Sequence, residues 1–274
     1  MRQTDKLLML MQHCNFAVSN ENDYAISSVI IKRIVTNADL SIEQIAEEAC
    51  ISQASVSRFV RKAGFDSWQS FRECCSGACN EIGQRRYAYS FVDWKNKNLS
   101  EMSDNLLDRI TSNLKATNKG LDSDGIESIL SKMISASEDI FIGDEHALSI
   151  FYTLQLDLLF AGIPSYLYKN MDVQESLSHH ILKGAVVIFL NIENNFLAPK
   201  QLNTIKAMKE AGAYIIVFSQ QDCSDKIGYD MVYRYGIPES ANDGYYSLFY
   251  LSQLLSDLLI QRAFSKNESD FHKR

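Results

Sequence analysis

The sequence predicts an all-α helix-turn-helix domain at the N-terminus, followed by an α/β domain built on a doubly wound parallel sheet. Three observations predict it. Residues 40–65, "LSIEQIAEEACISQASVSRFVRKAGF", hold two short amphipathic helical patterns separated by three residues. From about residue 119 onward, five short β-rich runs alternate with helical stretches. Gly162, Gly184 and Gly212 each stand just past one of those stretches, where helix C-terminal caps stand.

Ser41 with Gln44 three residues on is a capping-box pair and starts a helix. Ile42, Ile45, Ala46 and Ala49 fall on one face of it, at the spacing i, i+3, i+4, i+7. "CIS" interrupts. Ser52 caps a second helix, in which Val56, Phe59, Val60 and Ala63 repeat the spacing, and Gly64 ends it. Upstream, Ile26, Val29, Ile30, Ile34 and Val35 supply a further helix for the small core. Phe65, Trp68 and Phe71 are assigned to the same core; at this helical spacing Trp68 reads as packing rather than as a base-stacking residue.

In the C-terminal part the β-rich runs are "DIFIG" (139–143), "SYLYK" (165–169), "VVIFLN" (186–191), "AYIIVFS" (213–219) and "DMVYRYG" (230–236). "ALSIFYTLQLDLLFAG", "DVQESLSHHILKG" and "APKQLNTIKAMKEAG" lie between them. Strands separated by such helices make βαβ units, hence a parallel sheet covered on both faces. The domain reading is 1–77 helix-turn-helix, 78–118 linker and connecting helix, 119–265 α/β domain and 266–274 polar tail.

Composition narrows the function. The chain has 274 residues, 46% hydrophobic and 22% charged, which is the mixture of a folded globular protein. No apolar run reaches the roughly 18 to 20 residues that span a bilayer. The N-terminus lacks the pattern of a cleaved signal, so a cytoplasmic location is expected. Cys14, Cys50, Cys74, Cys75, Cys79 and Cys223 form no CxxC pair, and "CCSGAC" has no nearby histidine, so no metal site is expected and the thiols are read as reduced. The net charge of −7 lies entirely beyond residue 86; the first 86 residues are balanced.

Within that balanced segment the second helix of the pair carries Arg58, Arg61 and Lys62 and no acid. With Val56, Phe59 and Val60 turned inward, Ala54, Ser57, Arg58 and Arg61 point outward, flanked by Gln53, Ser55 and Lys62. Small residues allow close approach to the major groove; Arg and Gln can pair with base edges, while Lys and Ser can take phosphates. Ser52, Gln53, Ala54, Ser55, Ser57, Arg58, Arg61 and Lys62 are therefore the candidate DNA-contacting set. The partner expected is a double-stranded operator.

"LSIEQIAEEACISQASVSRFVRKAGFDSWQSFRE" resembles the helix-turn-helix of the RpiR-type transcriptional regulators, in the "IAEEA" helix, the "S-x-A-S-V-S-R-F" helix and the "K-A-G-F-x-S-W-x-x-F" ending. The resemblance implies that the α/β part is a sugar isomerase (SIS) domain, which usually binds a phosphosugar. It also implies two phosphate-cradling turns: Gly-x-Gly-x-Ser after the first strand and Ser-x-Ser-Gly-x-Thr after the third. This chain departs from both. Gly143 matches, but Glu145 and Ala147 replace the second glycine and the serine; Asn191 and Glu193 stand at the serines, Asn194 at the glycine and Phe196 at the threonine. Asp144, Glu145 and Glu193 would each repel a phosphate by about 1 to 4 kcal/mol at roughly 4 Å. A phosphosugar in the usual pose is not expected.

Two readings of the pocket stay open. In one it holds a neutral or cationic effector through His146, Asn191, Glu193, Asn195 and Ser219. Alternatively it holds nothing, plugged by Phe196 and Leu197, and the domain serves dimerisation; this second reading is slightly preferred. A sugar isomerase would need the missing cradle together with an acid–base pair, no nucleophile with its base is present, and no cofactor is implied. A homo-oligomer, dimer or tetramer, is expected, because operators with two half-sites are read by dimers. The last helix (245–264) has apolar residues over most of its circumference. The competing reading is an SIS-like partner- or ligand-binding protein without operator binding, which leaves the basic helix face unexplained.

Overall fold

A computed structural model describes residues 21–36, 38–63, 65–73, 75, 97–143, 145–168, 171–191, 199–221, 223, 228–238 and 243–267. The chain divides into two compact units, 1–97 and 98–274.

Unit 1 is helical. α1 spans Glu21–Val35, with Glu21 and Asp23 in its first turn and Lys32 and Arg33 in its last, the charge order that suits a helix dipole. α2 spans Ile42–Glu48 and α3 spans Gln53–Lys62. The caps are those expected: Ser41 Oγ accepts from Gln44 N–H at 3.2 Å, and Ser52 Oγ from Ser55 N–H at 3.2 Å. The return bond of the capping box at Ser41 is not made, because the Gln44 side chain accepts instead from Arg33 at 2.7 Å. α3 ends at Lys62 with Ala63 as its cap; Gly64 lies outside the described residues.

Ile26, Ile30, Ile34, Ile45, Val56, Phe59, Val60, Phe65 and Phe71 form one buried cluster, with Trp68 packed against it. The rings of Phe65 and Phe71 meet edge-on at 5.0 Å, and Trp68 lies 5.3 Å from Phe71, which fits a core tryptophan. Val35 does not join them. It is 71% exposed, since Ile34 already occupies the inward position at the helix end.

Unit 2 opens with α4 (Leu99–Lys119), begun by a complete capping box in which Asn98 and Glu101 exchange bonds of 3.1 and 2.9 Å. This helix, read from sequence as a connector, packs into unit 2 against the last helix. There follow α5 (Ser123–Ser135), β1 (Asp139–Gly143), α6 (Glu145–Ile150), α7 (Tyr152–Phe160), β2 (Ser165–Leu167), α8 (Met171–Leu177), β3 (Val186–Asn191), α9 (Pro199–Glu210), β4 (Tyr214–Ser219), β5 (Met231–Arg234) and α10 (Gly244–Asn267).

Among the described residues the four strand pairings are all parallel and the order is β2-β1-β3-β4-β5. Alternate residues of each strand enter opposite cores. Phe141, Ile188, Leu190, Ile216 and Phe218 meet α5, α6, α7 and α10. Ile140, Ile142, Val187, Phe189, Ile215 and Val217 meet Ile205 and Met208 of α9. A strand covered on both faces needs apolar residues at every position, which is why the runs read as continuous. In α10, Leu248, Leu251, Leu255 and Leu259 are buried within the unit.

This strand order reverses direction between β1 and β3. Ligand crevices in such sheets lie there, beyond the C-terminal strand ends.

Candidate nucleic-acid interface and ligand crevice

In unit 1, Val56, Phe59 and Val60 fix the roll of α3, because all three are at most 2% exposed. That roll leaves Ser52, Gln53, Ala54, Arg58, Arg61 and Lys62 exposed, with Ser55 and Ser57 half-buried. The turn before α3 is tight: Cys50 N–H donates to Glu47 O at 3.1 Å and Ile51 N–H to Ala46 O at 2.9 Å. Cys50 adopts φ 55° there.

α1 is held to α2 by Arg33, whose guanidinium donates to Gln44 Oε1, to Glu48 Oε1 at 2.5 Å and to the Asp39 carbonyl. α1 is held to α3 by Lys62, whose ammonium pairs with Asp23 at 2.6 Å. Lys62 is thus an exposed tie between α3 and α1, a use its helical position did not reveal. Arg58 donates to Ser55 Oγ at 3.2 Å. Among the described residues Arg61 makes no ion pair or side-chain hydrogen bond.

In unit 2 the crevice edge begins at Gly143, the last residue of β1. It has φ +141°, and a Cβ there would stand 2.8 Å from the Leu190 carbonyl oxygen and 3.1 Å from Leu190 Cβ. Only glycine permits that approach of β1 to β3. Gln174 on α8 is buried and donates to the carbonyls of Gly143 (3.1 Å) and Tyr168 (2.6 Å), bracing the exits of β1 and β2. Sequence reading missed it. Its signal was a polar residue on the stripe that continues through Ser178 and Ile181.

Of the candidate effector residues, Asn191 is half-buried at the end of β3, opposite Ser219 in the register. Ser219 is wholly buried, and its hydroxyl accepts from Gln221 N–H at 3.2 Å, so it caps a turn rather than facing a ligand. Glu145 and His146 lie on α6. Asp144, Glu193, Asn194, Asn195, Phe196 and Leu197 lie outside the described residues.

Beyond β5 the chain is tied to α4. Asn113 Oδ1, fully buried, accepts from Ser247 Oγ at 2.7 Å and from Ile237 N–H at 3.3 Å. Gln220 donates to the Ile237 carbonyl at 2.9 Å, and Arg109 forks onto Asp243 at 3.2 and 3.4 Å. Gly236 is forced here too: a Cβ would lie 2.4 Å from Asn113 Oδ1.

At the opposite end of the sheet, Asp139 is fully buried beside Ser165 and Val186, with neither carboxylate oxygen hydrogen-bonded. The neighbouring Ser165 hydroxyl is turned to the Gln155 carbonyl. Burial pushes the Asp139 carboxyl up to about 8. Among the described residues no group of three or more His, Cys, Asp or Glu side chains could hold a metal ion. No described helix is long and apolar enough to cross a membrane.

These features define a class: a helix-turn-helix unit followed by a doubly wound parallel α/β unit. Residues 7–79 match the helix-turn-helix domain of the rpiR family. That family is one of DNA-binding transcriptional regulators. The fold of the whole chain is similar to that of the Vibrio vulnificus NanR protein complexed with ManNAc-6P, at 13% identity and a TM-score of 0.51, covering 96% of this chain and 93% of that one. Unit 2 is similar in fold to the sugar isomerase domain of an RpiR transcription factor from Sphaerobacter thermophilus, at 13% identity and a TM-score of 0.50, covering 63% of this chain and 97% of that one. Comparison with curated proteins gives no match.

Proposed function

We propose that the chain is a cytoplasmic, non-catalytic transcriptional regulator that reads an operator through α3 and uses its α/β unit to dimerise. The observation that carries the first part is the face of α3. Its inward side is sealed by Val56, Phe59 and Val60, and its outward side offers Gln53, Ser57, Arg58 and Arg61 with no acid. Ser52, Ala54 and Ser55 line the same face near the helix start. Lys62, paired with Asp23, is left out of the contacting set.

Dimerisation is supported by exposed apolar residues on adjoining helices: Tyr152, Leu156, Leu159 and Phe160 of α7, and Tyr246 and Phe249 of α10. A stripe of this kind on a folded surface marks a partner interface. A second copy would satisfy the two-fold symmetry of a half-site operator.

The neighbour from Vibrio holds a phosphosugar, but this chain has Glu145 and Ala147 where the first cradle needs glycine and serine. The burial of Ser219, whose hydroxyl is taken by Gln221 N–H, favours the scaffold reading over an effector held at Asn191, Ser219 and their neighbours.

Gel shift against DNA selected from a random library tests the function. Wild type gives a sequence-specific complex, and Arg58→Ala with Arg61→Ala abolishes it at matched salt while the circular dichroism spectrum is kept. Unchanged affinity of the double variant would sink the assignment. A saturable complex with hexose or pentose phosphates at micromolar concentration would overturn the scaffold reading.

A further inference from the structure

We propose that Ser55 is a positioning residue that aims Arg58, so that Arg58 reads a base pair while Arg61 serves the phosphate backbone. The inference rests on the operator-reading function of α3.

The geometry is a chain of three bonds at the start of the helix. Ser52 Oγ accepts from Ser55 N–H at 3.2 Å, the two serine hydroxyls lie 3.0 Å apart, and Arg58 Nη2 donates to Ser55 Oγ at 3.2 Å. Residues three apart are neighbours on a helix surface, so Arg58 is drawn back toward the N-terminal turn, the part of a recognition helix that meets base edges. A hydroxyl has one proton and two lone pairs. Ser55 O–H can donate to Ser52 Oγ and still accept from Arg58, so the bonds run in one direction and reinforce each other.

Arg58 commits one of its five N–H donors this way. A two-donor edge remains, which is what bidentate recognition of guanine O6 and N7 requires. Arg61 has no comparable restraint among the described residues. A side chain free to swing can follow a phosphate, but it pays its full rotamer entropy on binding.

Ser55 can be altered without removing the cap, because the cap bond uses its backbone N–H and the Ser52 hydroxyl. Immobilising an unrestrained long side chain weakens binding by about 2- to 10-fold. Ser55→Ala should cost that factor on the selected operator.

The experiment measures anisotropy with the full chain on the selected operator and its single base-pair variants, at one salt concentration. Arg58→Ala first maps the base pair that Arg58 reads. Ser55→Ala then reduces discrimination at that same pair more than at any other position, and keeps the melting temperature. Ser55→Thr, which retains the hydroxyl, restores discrimination. Arg61→Ala weakens binding evenly across sequences. Full discrimination in Ser55→Ala, or an even loss on all DNA, overturns the role of Ser55 alone. A wild-type protein with no sequence preference overturns the operator reading, and this inference with it.

Discussion

Asp139→Asn isolates the cost of a buried charge in unit 2. Asp139 is fully enclosed, its oxygens are unpartnered, and its carboxyl titrates at about 8 instead of the ordinary 3.8. Between those values the folded state holds a proton that the unfolded state has released. Stability therefore falls as pH rises through this window, and the full penalty is present above pH 8. Each pH unit is worth about 1.4 kcal/mol, which gives a ceiling of about 6 kcal/mol at alkaline pH and about 4 kcal/mol at pH 7. The asparagine amide is also buried without partners, at about 1 to 3 kcal/mol. Since the neutral carboxyl lacks the same partners, the pH-dependent part of the difference reports the charge. The assay is hydrogen exchange of peptides 139–143 and 214–219, wild type against variant at the same pH. The variant gains on wild type by about 1.4 kcal/mol per unit from pH 5 to 7.5 and levels off above 8. A difference that does not change with pH would refute the reasoning.

Three further outcomes are expected. Cys50→Gly relieves the φ 55° turn between α2 and α3 at an exposed position, raising the stability of unit 1 by about 1 kcal/mol, or roughly 4 to 8 °C in melting temperature by circular dichroism. Gly143→Ala drives a Cβ onto the Leu190 carbonyl and destabilises unit 2 by several kcal/mol, read as lost exchange protection in β1 and β3. Lys62→Ala breaks a pair whose ammonium is well exposed, so it costs less than about 1 kcal/mol; it also leaves the salt dependence of DNA binding unchanged, whereas Arg61→Ala lowers that slope by about one.

The legible features were the local ones. Ser41 and Ser52 announce their helices within three residues, and the inward faces of α2 and α3 follow from spacing alone. The strands showed as continuous apolar runs because both faces are buried, and β1 and β3 have the boundaries their sequence suggests. What was hidden is long-range. Lys62 meets Asp23 across 39 residues, a helix tie that its place on the face of α3 does not announce. Gln174 reaches Gly143 across 31. Sheet order, and hence the β1–β3 crevice, depends on which strands pair, and composition within a strand does not encode that. The buried carboxylate at Asp139 stands in an otherwise ordinary strand and is visible only once its surroundings are.

The Asn113–Ser247 bond joins residues 134 apart, and the same separation divides Arg109 from Asp243. During synthesis at about 5 to 20 residues per second, α4 leaves the ribosome roughly 7 to 27 s before the helix that completes its packing. Among the described residues the core of unit 1 lies between residues 26 and 75, all of which emerge before α4. The nascent chain therefore holds the packed helices of the helix-turn-helix while α4 still awaits Ser247 and the rest of α10. A ribosome stalled before Ser247 would display a folded reader of DNA on an unclosed second unit.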